Sequence, residues 1–124
     1  MPYHMWINGQ HTSGNSGKVI EVRNPATEEI IDTAPAANAA GVELAVSAAQ
    51  AAFPAWKKLP AAQKAELLHE TANKLTERTE EFARLLTLEG GKPLVENKDE
   101  MGWSAACFHY YAEIGRNSRG LLLT

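Results

Sequence analysis

The chain has 124 residues, 44% of them apolar and 22% charged, with a formal net charge of −3. That balance suits one compact domain rather than a disordered chain, and the absence of any basic block argues against nucleic acid as a partner. A single cysteine excludes an internal disulfide and fits a soluble protein of a reducing, cytoplasmic compartment.

The amino terminus, "MPYHMWING", has no basic start, no apolar run and no small-residue cleavage site, so it does not read as a signal peptide. The longest uncharged run, Leu44 to Trp56, is too short to span a bilayer and contains Pro54, so no membrane partner is expected.

The first third reads as strands. Asn8-Gly9 tolerates positive φ at both turn positions, as a tight type I′ hairpin requires. Ser13 to Gly17, "SGNSG", reads as a flexible loop. Strands follow at "KVIEV" and at Glu29 to Thr33, "EIIDT", separated by "NPATEE", where Pro25 keeps Asn24 out of the helical region.

The remainder reads as about four helices. Asn38 is a good N-cap for a helix over Ala39 to Phe53, with Val42, Val46, Ala49 and Phe53 on one face and Pro54 as its end. Trp56 is left to pack near the connector. Pro60 can open the next helix, in which Lys64, Leu67, Leu68, Thr71 and Leu75 form a half-apolar face. A soft break near Arg78 leaves Thr79 as a fresh N-cap, and Phe82, Leu85, Leu86 and Leu88 continue towards Glu89.

The stretch "LEGGKP" could grip a phosphate or join two helices. A phosphate loop reads GxxxxGK[ST] after a strand. Here proline follows Lys92, the preceding segment is helical, and GxGxxG is absent. The joint is the better reading, with Gly90 as the left-handed residue and Pro93 opening the last helix, 93–119. That helix carries Trp103, Phe108, Tyr110 and Tyr111 in different directions. An all-round apolar helix belongs inside a larger structure or against a partner, and the end, "GLLLT", is apolar too.

Few residues invite chemistry. Cys107 and His109 stand two apart, so on a helix they point about 200° apart and cannot meet. A cysteine in such a helix reads as a small buried hydrophobe. His4, His11, His69 and His109 lack zinc spacing. Glu77 to Glu81 reads as a solvated surface, and Glu96, Asp99 and Glu100 suit the start of a helix dipole.

The segments "WINGQ", "EVRNPATEEII", "AVSAAQAAFPAW", "KAELLHETANKLTERTEEFARLLTLEGGKP" and "CFHYYAEIGRNSRG", in that order, resemble the amino-terminal quarter of the NAD(P)-dependent aldehyde dehydrogenase superfamily. Departures are Glu28 where glycine is common, Lys64 where arginine is common, and Gly90 where a larger residue is usual.

The resemblance implies an α/β fold, with 1–124 as the incomplete amino-terminal part of an aldehyde dehydrogenase domain. Short β-hairpin strands and about four helices would pack on a Rossmann-type coenzyme domain. It implies an enzyme that oxidises an aldehyde to a carboxylic acid with NAD or NADP through a cysteine thiohemiacetal, as a dimer or tetramer. The nucleophile, the glutamate base and the coenzyme loop lie further along in the family. This chain would then hold no catalytic or cofactor-binding residue, and Cys107 does not match the catalytic cysteine. A monovalent cation found in some members would map to the carbonyls of Val22 and Arg23 and to Glu100, hard oxygen ligands of the right kind. The other reading is an independent binding module that docks a partner through helix 93–119.

Overall fold

The computed structural model describes residues 3–13 and 15–117. Length suggests one compact domain, but contacts divide the chain into two units. The first is Met1–Lys58 with Leu88–Gly91, the second Leu59–Thr87 with Lys92–Thr124.

In the first unit, β1 (Met5–Ile7) and β2 (Gln10–Thr12) form the expected hairpin. Asn8 and Gly9 hold φ of 52° and 73° between the paired Ile7 and Gln10, the positive-φ pair of a type I′ turn. A second antiparallel pair joins β3 (Asn15–Arg23) to β4 (Ile30–Ala37). Both strands outrun the sequence reading. β3 begins inside the expected loop, because a register slip between Asn15 and Val19 absorbs Gly17 at φ 67°. The Ser16 hydroxyl then ties this stretch to the carbonyl of Ala36. β4 runs on through Pro35, which sits opposite Val19. In a two-stranded ribbon the missing N–H of proline can face outward without breaking a ladder.

The β3–β4 connector is tightly built. Asn24 Oδ1 accepts from the Ala26 N–H at 2.9 Å, the Asn24 carbonyl accepts from Glu28 N at 2.7 Å, and Asn24 N donates to the Glu29 carbonyl at 2.9 Å. Glu28 closes the turn at φ 60°. That backbone is one glycine adopts without steric cost, which is why glycine suits this place and why Glu28 holds it against its own preference. Arg23 Nη1 braces it, donating to the Glu28 carbonyl at 3.0 Å.

Helix α1 (Ala39–Lys58) starts as expected, with Gly41 N donating to Asn38 Oδ1 at 2.9 Å. Pro54 does not end it; the proline lies inside the helix, which continues to Lys58. Proline removes one hydrogen bond and crowds one carbonyl, and so late in a helix the remaining turn survives with Lys57 and Lys58 at the negative end of its dipole. Trp56 therefore lies within the helix and is exposed. The expected inward face is also corrected. Val42, Val46, Ala49 and Phe53 are exposed, Phe53 by 58%. Gly41 is buried instead, and the half-buried Ala45 and Ala48 face Ile7 and Asn8 of the hairpin. Small side chains let the helix axis approach the strands.

In the second unit, α2 (Ala61–Glu77) begins one residue later than expected, with Pro60 as its cap and the Pro60 carbonyl accepting from Lys64 N at 3.2 Å. The break at Arg78 is real, at φ −106° and ψ 19°. Thr79 does not cap α3 (Thr79–Gly90): its hydroxyl donates backwards to the Thr76 carbonyl at 2.8 Å. The capping carbonyl is that of Arg78, which accepts from Phe82 N at 3.1 Å. The Arg78 guanidinium grips Glu81 through two hydrogen bonds of 2.8 and 2.6 Å and lies over the Phe82 ring. The Glu81 carboxylate raises Arg78 above its ordinary pKa, and Arg78 lowers Glu81.

α3 ends at Gly90, and the left-handed residue is Gly91 at φ 73°, one place later than expected. α4 (Leu94–Asn117) starts after Pro93, whose carbonyl accepts from Asn97 N at 3.1 Å. The expected end at Arg119 and the "GLLLT" stretch lie outside the described residues.

Helices α2 and α4 form the main contact of this unit. Their seam is built from Ala65, Ala72, Met101, Ala105 and Ala112. Leu67, expected on the half-apolar face of α2, is exposed, and so are Trp103 (75%), Tyr110 and Tyr111 (62% each), aromatics of α4 that the sequence reading turned towards a larger structure or a partner. None of the described helices is long and apolar enough to cross a membrane.

Candidate functional site

The residues marked for a cation fall on separate elements. Val22 and Arg23 end β3 in the first unit, and the ladder with β4 slips register between them. The extra residue of this slip is Ile31 on β4, between Asp32 and Ile30, while Val22 and Arg23 both keep partners in the ladder. Glu100 stands on α4 in the second unit and is engaged by Lys92, whose Nζ donates to Glu100 Oε2 at 2.6 Å. That hydrogen bond is the main reason Lys92 is held above the usual ammonium pKa. Among the described residues no group of three or more His, Cys, Asp or Glu is arranged to hold a metal ion.

Cys107 is exposed, not buried as its apolar helix suggested. It lies off the alanine seam, so removing its sulfur opens no cavity. His109 is on a different face and is only half exposed, consistent with the helical angle between the two.

Around the joint the carboxylates do structural work. Glu80 accepts from Lys98 Nζ at 2.5 Å, and that bond holds its carboxyl below the usual range. Asn97 is 2% exposed. Its Nδ2 donates to Thr87 Oγ1 at 2.8 Å and to the Lys92 carbonyl at 3.2 Å. The Thr87 hydroxyl in turn donates to the Ala83 carbonyl at 3.0 Å. The joint of "LEGGKP" is therefore held by a buried amide, and no side chain of it converges on a phosphate-sized ligand.

Sequence spacing missed one cluster. His69 on α2 and His109 on α4 bring their Nδ1 atoms within 2.6 Å, and His69 Nε2 lies 2.8 Å from Glu113 Oε1. Forty positions separate the two histidines. Their only sequence signal is that His109 and Glu113 stand four apart, which puts them on one face of a helix. In the first unit, Trp6 and His11 stack edge to face at 4.7 Å.

None of these arrangements is a nucleophile with its base. The whole-chain comparisons supply the context. The aldehyde dehydrogenase family model matches residues 11–123. Succinate-semialdehyde dehydrogenase [NADP(+)] of Escherichia coli (strain K12) is 38% identical over 114 residues, covering 92% of this chain and 24% of that enzyme. The crystal structure of PnpE in complex with nicotinamide adenine dinucleotide matches at a TM-score of 0.94 and 34% identity, covering all of this chain and 26% of that one. Succinate-semialdehyde dehydrogenase from Burkholderia pseudomallei matches at a TM-score of 0.93 and 33% identity, over 98% of this chain and 25% of that one. The chain thus spans about a quarter of the length of these relatives. It belongs to the aldehyde dehydrogenase family and corresponds to the amino-terminal part of its members.

Proposed function

We propose that this segment is the structural, non-catalytic amino-terminal part of an enzyme that oxidises an aldehyde to a carboxylic acid with NAD+ or NADP+. In that enzyme a cysteine outside this chain attacks the aldehyde, hydride leaves to the coenzyme, and an activated water releases the acid. The match over residues 11–123 carries this reading. The coenzyme would be held by segments absent from this chain, which has no glycine-rich dinucleotide loop. An oligomeric, cytoplasmic enzyme is part of the same proposal. The exposed Trp103, Tyr110 and Tyr111 would pack on the coenzyme domain; an independent docking module would present the same face to a separate partner.

The test is spectrophotometric. The purified 124-residue chain should form no NADH or NADPH from any of a panel of aldehydes. A protein in which it is joined to the remaining family segments should turn over. In that protein Cys107→Ala should keep kcat, and in the 124-residue chain, where Cys107 is exposed, it should change stability by less than about 0.5 kcal/mol, as for other exposed substitutions. Turnover by the chain alone, abolished by Cys107→Ala, would overturn the reading.

We also propose that the Val22 and Arg23 carbonyls and Glu100 contribute to a monovalent cation site in the complete enzyme. The family match over residues 11–123, which includes the stretch ending in Val22, Arg23 and Asn24, supports the site. The Lys92–Glu100 pair opposes it, since a cation would have to displace Lys92. Potassium should raise the melting temperature of the joined protein, and Glu100→Gln should remove the increment. An increment that survives the substitution excludes Glu100.

A further inference from the structure

Apart from Met101, the seam between α2 and α4 is alanine, and at one level it carries two imidazoles. The ring centroids of His69 and His109 are 4.9 Å apart and their Nδ1 atoms 2.6 Å apart, so the rings meet head to head. A carboxylate only accepts, so the hydrogen between His69 and Glu113 belongs to His69 Nε2. In a neutral ring His69 Nδ1 is then bare, and the hydrogen between the rings belongs to His109 Nδ1. The order Glu113, His69, His109 thus has one consistent set of donors. A zinc ion needs each nitrogen about 2.0–2.1 Å away on its own side, so the gap is sized for a proton.

We propose that Glu113, His69 and His109 form a proton-gated clamp between α2 and α4. A first added proton, taken from solvent at His109 Nε2, leaves both hydrogen bonds standing. A second makes both rings imidazolium, sets two N–H groups against each other, and removes the interhelical bond. The carboxylate end does not fail first, because the hydrogen bond from His69 lowers the Glu113 pKa. The other charged neighbours are Arg116 on α4, 3.9 Å from the same Glu113 oxygen, and the exposed Glu66 and Glu70 that flank His69 on α2. The clamp contributes while at least one Nδ1 is bare. Its contribution is therefore present while one ring is neutral and lost once both rings are charged, so it decreases as pH falls.

Two measurements on the full chain decide it. Nitrogen-15 NMR at about pH 8 should show His69 protonated at Nε2 and His109 at Nδ1, the less common tautomer; Nε2–H on both rings overturns the clamp. The melting temperature should fall between about pH 8 and pH 5, and in His109→Gln that fall should be smaller by about 4–8 °C. An equal fall in parent and variant also overturns it. If the variant does not fold, the tautomer spectrum of the unsubstituted chain stands as the test.

Discussion

Gly91→Ala should destabilise the first unit by about 2–4 kcal/mol, the sum of a left-handed backbone and an overpacked contact. Gly91 holds φ at 73°, which costs any residue with a Cβ. That Cβ would also lie 2.8 Å from Cγ of Pro25. The ring cannot swing aside, because its pyrrolidine fixes the backbone of a connector pinned on both sides by Asn24. The neighbouring glycine supplies the control. Gly90 is helical, with nothing within 4 Å of its would-be Cβ, so Gly90→Ala should stabilise by about 0.5–1 kcal/mol. Urea unfolding read at its midpoint, with the slope unchanged, measures both. Two alanine variants shifted in the same direction by similar amounts would show that the joint is not sterically closed at Gly91.

Asn97→Leu should cost about 2–4 kcal/mol. The amide is buried and spends both Nδ2 hydrogens, one on Thr87 Oγ1 and one on the Lys92 carbonyl. Leucine has similar bulk but no donor, so the Thr87 hydroxyl oxygen and the Lys92 carbonyl both lose this partner. A double-mutant cycle with Thr87→Val apportions the loss. The two positions should couple by at least about 0.5 kcal/mol, whereas strict additivity would mean that the Asn97–Thr87 bond contributes nothing to stability.

What could be read from the residues was local. Asn8-Gly9, the Asn38 cap and the break at Arg78 each follow from the conformational preferences of one or two residues, and each stands where those preferences put it. The glycine joint was legible in kind but displaced by one residue, because Gly90 and Gly91 are adjacent and only the contact with Pro25 distinguishes them. Pro54 misled because the rule against proline in helices describes a cost, and one turn of helix near the end of α1 absorbs it. The face of α1 misled for another reason. Periodicity weighted Val42, Val46 and Phe53 for their size, while the half-buried residues facing Ile7 and Asn8 of the hairpin are the small Ala45 and Ala48. The same bias hid the α2–α4 seam and, with it, the meeting of His69 and His109. A pair separated by forty positions depends on how two helices dock, and no local pattern encodes that. The family resemblance was legible because it sums many weak local matches in one order. No catalytic residue was expected in the chain, so the candidate site had little else to offer the reader of a single sequence.

The alanine seam bears on how this chain can drift over generations. An alanine codon reaches glycine, serine, threonine, proline, valine and either aspartate or glutamate by single base changes. At Ala65, Ala72, Ala105 and Ala112, each nearly or wholly enclosed, all but glycine add atoms where the two helices already touch, and glycine weakens a helix interior by about 1 kcal/mol. Nearly every first mutational step at these positions is therefore a loss, while Trp103 or Tyr110, conspicuous on the page, can change with less consequence for the helix pair itself. The least noticeable letters of the sequence are the ones that selection has the least freedom to rewrite.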